Sequence, residues 1–293
     1  MADRTTTTVT AALAGTIDIG GDMPVNRFGF GAMRLTGQGI WGEPADREEC
    51  KRVLRRALEL GINFIDTADS YGPEVSERLI AETLYPYPEE LVIATKGGLQ
   101  RPAPGQWDPD GRPEHLRAAC EGSLKRLRVD QIDLYQFHRP DPKVPFEESI
   151  GALKALKDEG KIRHLGLSNV TTDQVEQAQK ITPIVSVQNR YSVYERSSEP
   201  VLEFCSLEEI AFLPWRPVEG GELAATGVVA QIASRNGATP AQVALAWLLG
   251  HSPVMLPIPG TSKVTHLEEN LGAVGLGLAP SELAELDKIA EER

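Results

Sequence analysis

Apolar and polar positions along this chain follow two alternating rhythms. Short runs such as NFIDTA and LVIAT are continuously apolar and read as strands buried on both faces, whereas longer stretches repeat apolar residues with helical spacing. The pattern predicts strands at Phe28–Met33, Asn63–Ala68, Leu91–Lys96, Leu134–His138, His164–Ser168, Val185–Asn189, Ala211–Trp215 and Met255–Gly260. Ahead of them, TIDIG and MPVNRF flank a Gly20-Gly21-Asp22 turn and predict a short β-hairpin.

Amphipathic stretches fill the intervals. Val53, Ala57 and Leu60 share one face before Gly61, and Leu116, Cys120, Leu124 and Leu127 share another after Pro113. Phe146, Ile150 and Leu153 open a helix that Gly160 can end in a left-handed cap. Thr239-Pro240-Ala241-Gln242 supplies an N-cap, an N1 proline and an N3 glutamine. Alternating strands and helices imply parallel pairing, and eight such units favour a single α/β (β/α)8 TIM barrel over an open sheet. A doubly wound dinucleotide fold is the rival, through Gly29-Phe30-Gly31. Its third glycine position holds Arg34, however, and a polar loop follows where a helix is required.

At 293 residues the chain suits such a barrel. Residues 1–14, with a threonine run, are expected to form a disordered tail, and residues 15–293 the barrel. A net charge of −12 argues against nucleic acid as a partner. Cys50, Cys120 and Cys205 lie far apart, and neither a disulfide framework nor a cysteine metal site is indicated. The N-terminus makes a poor signal sequence, and no segment reaches the length of a membrane span. A cytoplasmic, membrane-free protein is expected. The five histidines form no H-x-x-x-H pair, no G-x-S-x-G elbow occurs, and no metal is called for.

Four polar side chains stand where strands give way to loops: Asp66 and Tyr71 in NFIDTADSYG, Lys96 in LVIATKGG and His138 in DLYQFHRP. Singly, Asp66 reads as a cap or ion-pair partner, Lys96 as a charge reaching for water, Tyr71 as turn chemistry and His138 as a structural imidazole. A barrel would bring all four to the rim at the C-terminal ends of its strands. There a phenol beside a carboxylate-held ammonium becomes a better acid, and an imidazole can orient a carbonyl oxygen. With a hydride donor, that set would reduce carbonyl groups.

The segments FIDTADSYG, VIATKGG, QIDLYQFHRPD, GKIRHLGLSNV, SVQNRYS and IPGTSKVTHLEEN, in this order, resemble the aldo-keto reductase family over nearly the whole chain. The resemblance implies a catalytic tetrad of Asp66, Tyr71, Lys96 and His138, a barrel and a nicotinamide cofactor. It places Ser168, Asn169 and Gln188 on the nicotinamide carboxamide, although Ser and Asn after strands are also common turn residues. Trp215 falls where many relatives stack a tyrosine on the ring. Gly260, Thr261, Ser262 and Lys263 lead into a helical pattern whose N–H groups suit a 2′-phosphate. Gly260 replaces a lysine found in many relatives, and His266 an arginine. With Lys263 restoring a charge, NADPH is preferred and NADH remains possible. Glu269 and Asn270 match positions that address the adenine, or form an exposed helix face.

Substrate choice is assigned to the loops at Thr36–Asp46 with Trp41, Gln100–Arg112 with Trp107, and the stretch holding Tyr191 and Tyr194. GAMRLTGQGIWGEP and LYPYP resemble a bacterial branch associated with pyridoxal reduction. Arg139 and Arg216 are candidates for a substrate anion, or for surface charge and cofactor phosphate. The expected activity is NADPH-dependent reduction of aldehydes, with ketones as further substrates, by a monomer. A nicotinamide-binding redox sensor and a Schiff-base isomerase or aldolase using Lys96 are the alternatives.

Overall fold

In the structure, a computed structural model, residues 9–218 and 227–290 are described. The hairpin forms as the sequence predicts: β1 (Thr16–Ile19) pairs antiparallel with β2 (Met23–Asn26), and Ile19 faces Met23. Gly20 and Gly21 take φ of +69° and +81° in its turn, a region that only glycine enters freely. The expected disordered tail needs correction at its inner end. Ala11–Ala14 form a short 3-10 helix, with Ala11 buried and its N–H bonded to the Leu60 carbonyl at 2.9 Å. The first eight residues of that tail lie outside the described residues.

The barrel strands are β3 (Phe30–Gly31), β4 (Phe64–Asp66) and β5 (Val92–Gly97), then, after the small antiparallel pair β6 (Leu99–Gln100) and β7 (Asp108–Pro109), β8 (Ile132–Phe137), β9 (Ile162–Ser168), β10 (Ser186–Gln188) and β11 (Ala211–Phe212). The seven barrel strands form one parallel sheet in the order β11-β10-β9-β8-β5-β4-β3. Around it run α1 (Arg47–Glu59), α2 (Val75–Leu84), α3 (Pro113–Leu127), α4 (Phe146–Asp158), α5 (Thr172–Gln179), α6 (Glu199–Leu207), α7 (Gly227–Asn236), α8 (Pro240–His251), α9 (Val264–Leu271) and α10 (Pro280–Asp287). Thr239 and Gln242 make the predicted capping box at the start of α8, and Gly160 turns at φ +75° beyond α4.

The eighth predicted strand, Met255–Gly260, is not a regular strand. It closes the (β/α)8 barrel through one bridge, Phe212 to Met255, and through carbonyls of Pro257 and Pro259 that accept from Gly29 and Gly31 N–H at 3.0 and 3.3 Å. Proline has no N–H, so this segment can accept from its neighbour but cannot complete a ladder. The two chains also run unusually close: a Cβ on Gly31 would lie 2.6 Å from the Ile258 carbonyl oxygen.

Alternation along the strands divides the core in two. Phe64, Val92, Ala94, Leu134, Leu256 and Ile258 pack inside the barrel with Ile19, Met23 and Val25 of the hairpin, which plugs one end. Their strand neighbours Ile65, Ile93 and Tyr135 belong to the larger layer between strands and helices. Continuing the inward series by twos reaches Asp66 on β4, Lys96 on β5, Gln136 on β8 and Gln188 on β10. The polar residues of the site are thus the last rungs of an otherwise apolar interior.

Candidate active site

Lys96 is fully buried, and its ammonium is matched on every side. Nζ donates to Asp66 Oδ2 at 2.7 Å and to the Thr67 carbonyl at 2.8 Å, and lies 3.4 Å from the Tyr71 hydroxyl. Such satisfaction is what makes a buried charge tolerable. Asp66 Oδ1 accepts from the side-chain amides of Gln136 and Gln188 at 2.9 and 2.8 Å, which locks the carboxylate in place. Burial pulls the Lys96 ammonium toward neutrality, but the Asp66 carboxylate and then Tyr71 outweigh it and hold the pKa above the ordinary lysine value. Lys96 is therefore a fixed cation, which disfavours the Schiff-base reading.

Tyr71 is 6 % exposed and His138 8 %, and their rings meet edge to face at 5.9 Å. The structure brings all four tetrad side chains into one cluster. One expectation about them is corrected. Lys96 does draw the phenol toward ionisation, yet burial outweighs it and leaves Tyr71 above its ordinary pKa. The phenol of this site is thus held as a proton donor across the neutral range. His138 is pushed well below the usual histidine value, first by burial and then by the charges of Lys96, Arg139 and Arg101, so its ring is neutral. Ser70 Oγ lies 3.3 Å from His138 Nδ1.

Two connected hollows open from Tyr71. The first, about 440 Å³, runs past Gln188 and Trp215 to Gly260, with Arg34 and Arg216 on its walls. The second, about 280 Å³, is bounded by Trp107, Ile40, Leu99, His138, Arg139 and the Ser168–Asn169 pair. Asn169, in the left-handed region at φ +58°, donates to Ser168 Oγ at 3.0 Å and the His138 carbonyl at 3.1 Å, and accepts from Trp215 Nε1 at 3.1 Å. This network ties the chain at the ends of β9, β8 and β11 together between the hollows.

Beyond Gly260 the chain turns into α9. Thr261 is buried, and its hydroxyl accepts from the Lys263 N–H at 3.1 Å. Ser262, Lys263, His266, Glu269 and Asn270 lie on the same segment, outside the walls of either hollow; Lys263, His266 and Glu269 are exposed. The Val264 N–H, at the first turn of α9, is already taken by Glu49 Oε1 from α1 at 3.0 Å. That hydrogen bond, followed by the one from Arg52, keeps Glu49 below the ordinary carboxylate value.

The substrate residues read from the sequence divide three ways. Trp107 stands over the site, 6.4 Å from Tyr71 ring to ring. Trp41 borders neither hollow; its backbone bridges to Gly72, next to Tyr71, and its ring lies 5.4 Å from the guanidinium of Arg101, which is 3.5 Å from the ring of Trp107. Tyr191 is a correction: it is fully buried away from the site, stacked on Trp247, with its hydroxyl bonded to Glu199 at 2.6 Å and 2.8 Å from His251. Sequence reasoning passed over Gln136, Ser70, Arg101 and Glu49. Gln136 was visible in principle, as a polar residue on the inward face of QIDLYQFH. Arg101 is buried and donates to the carbonyls of Gln106, Ile40 and Ser70, fastening three loops together.

Fold and site define a barrel oxidoreductase. A sequence profile of the Aldo/keto reductase family matches residues 27–291, and the chain belongs to that family. It is 54 % identical to an uncharacterized oxidoreductase of Schizosaccharomyces pombe over 96 % of this chain and 91 % of that protein. It is 42 % identical to the pyridoxine 4-dehydrogenase of Escherichia coli over 93 % and 97 %. Among solved structures it resembles an aldo/keto reductase from Klebsiella pneumoniae in complex with NADP and acetate, with a TM-score of 0.78, 27 % identity, and coverage of 95 % and 96 %. The chain is an NAD(P)H-dependent oxidoreductase of carbonyl and alcohol groups. Among the described residues no helix is long and apolar enough to cross a membrane.

Proposed function

We propose that the chain reduces aldehydes, with ketones as further substrates, to alcohols with NADPH, and that Tyr71 is the proton donor. The observation that carries this reading is the buried series Asp66, Lys96, Tyr71, with Lys96 Nζ 2.7 Å from the carboxylate and 3.4 Å from the phenol, opening onto both hollows. NADPH supplies the hydride when bound. The larger hollow suits it chemically, with Trp215 as a flat apolar wall, Arg34 and Arg216 as cations and Gly260 at its far end. Gln188, which borders both hollows, and Ser168 and Asn169, on the wall of the second, are the residues that would hold the nicotinamide carboxamide where the two hollows adjoin. Thr261, Ser262, Lys263 and His266 would face the 2′-phosphate side, and Glu269 and Asn270 the adenine.

A substrate carbonyl oxygen fits beside the Tyr71 hydroxyl and the His138 ring. As negative charge develops there, the phenol gives its proton and the neutral imidazole donates a hydrogen bond. Lys96, fixed by Asp66, stabilises the phenolate left behind. Trp107 and Ile40 supply apolar walls, and an aromatic aldehyde of the pyridoxal kind is the favoured substrate, in keeping with the similarity to a pyridoxine 4-dehydrogenase. The test is loss of reduced-nicotinamide absorbance with a panel of aldehydes and both NADPH and NADH. Tight coenzyme binding without turnover of any aldehyde would favour the redox-sensor reading instead.

A further inference from the structure

The hollow next to His138 has an electrostatic character at odds with the rest of the chain. The protein carries a net charge of −12, yet among the described residues the walls of this hollow include Arg139 and Arg216 and no carboxylate. Arg216 also borders the coenzyme hollow and stands 5.9 Å from the Trp215 ring, so it is shared between the two. Arg139 borders the substrate side alone.

Among the described residues Arg139 is exposed and has no ion-pair or hydrogen-bond partner of its side chain. The acid closest in sequence is committed elsewhere: Asp141 accepts from the Gly111 N–H at 3.0 Å and from the Lys143 N–H at 2.9 Å. Among the described residues most other arginines are paired, as Arg112 is with Asp110, Arg117 with Glu159 and Arg126 with Glu77. A guanidinium left free beside the reacting centre is a ready fork for a carboxylate or phosphate. A cleft lined by one sign of charge also raises the local concentration of oppositely charged ligands.

Resting on the carbonyl-reductase reading above, we propose that the substrate side of this site receives carbonyl compounds bearing an anionic group, and that Arg139 is the residue that binds the anion. The aldehyde would sit at Tyr71 and His138, the body of the molecule against Trp107, and the anion at the rim.

Two matched pairs test this: 4-formylbenzoate against 4-formylbenzamide for a carboxylate, and pyridoxal 5′-phosphate against pyridoxal for a phosphate. The expected result is a kcat/KM for the anionic member of at least one pair about tenfold or more above its neutral partner. That ratio should shrink with added salt and fall to about one in Arg139→Gln, with a smaller fall in Arg216→Gln, whose charge adds to the field of the hollow without binding the anion. Calorimetric binding of 4-formylbenzoate and 4-formylbenzamide to the protein with NADP⁺ reads the same preference without turnover. Absence of an anionic preference in both turnover and binding, or a preference that survives Arg139→Gln, overturns the proposal. Failure to turn over any aldehyde, with the binding preference intact, would instead count against the reductase reading.

Discussion

The Ser70 hydroxyl stands 3.3 Å from Nδ1 of His138. Burial keeps the imidazole neutral, so its single ring proton must choose a nitrogen. A hydroxyl donating to Nδ1 leaves that proton on Nε2, where it can serve a substrate oxygen. Ser70→Ala should therefore lower kcat/KM for aldehydes by roughly fivefold, the value of one hydrogen bond of about 1 kcal/mol. NADPH affinity should hold steady. Imidazole nitrogen shifts measured by NMR would show the Nε2–H form losing its dominance; an unchanged tautomer would contradict the role.

Rate against pH carries a second test. A neutral His138, with its pKa well below 6.5, gives up no function as pH falls from 8 to 6. Tyr71, raised above 10, stays protonated until strongly basic pH, where its phenolate can no longer donate. Aldehyde reduction should be flat from pH 6 to 9 and fall only above about 10. Alcohol oxidation, which needs the phenol oxygen as proton acceptor, should rise over that same basic range. A reduction rate halved between pH 8 and 6.5 would contradict these protonation states.

Coenzyme choice tests a contact made across the molecule. Glu49 Oε1 occupies the Val264 N–H at the first turn of α9, close to where a 2′-phosphate would be received. Glu49→Gln removes one negative charge there and should tighten NADPH binding by roughly threefold to fivefold at low ionic strength. NADH affinity, measured by quenching of tryptophan fluorescence, should stay the same. Equal changes for the two coenzymes would mean that Glu49 only joins α1 to α9.

Barrel closure makes a prediction about stability. A Cβ on Gly31 would press on the Ile258 carbonyl at 2.6 Å, backbone against backbone. Gly31→Ala should cost about 1–3 kcal/mol and lower Tm by several degrees. Gly151→Ala on α4, with nothing within 4 Å of the new methyl, should instead be neutral or stabilising by about 0.5–1 kcal/mol. Matching losses at both positions in a thermal melt would remove the close approach as the cause.

Much of this site was legible before the structure because the strands carry their own register. Counting by twos from Phe64 reaches Asp66, and from Val92 reaches Lys96, so the inward polar ends follow from period alone. The same count explains what was missed. Tyr191 lies an odd number of residues after Gln188, and beyond the end of β10 its aromatic character gave no sign that it faces Trp247. Met255–Gly260 reads as a strand by hydropathy, but its two prolines remove the donors a ladder needs. Glu49 reaches α9 across 215 residues of chain, a contact no local pattern announces.

Tyr71 is the residue on which the account turns, and Tyr71→Phe addresses it most directly. The substitution keeps the ring against Trp107 and His138 and removes the hydroxyl that lies 3.4 Å from Lys96 Nζ. NADPH oxidation with a good aldehyde substrate should fall by about 100-fold or more, with the NADPH Kd within about twofold of the parent. Turnover at close to the parental rate, with coenzyme bound normally, would contradict it.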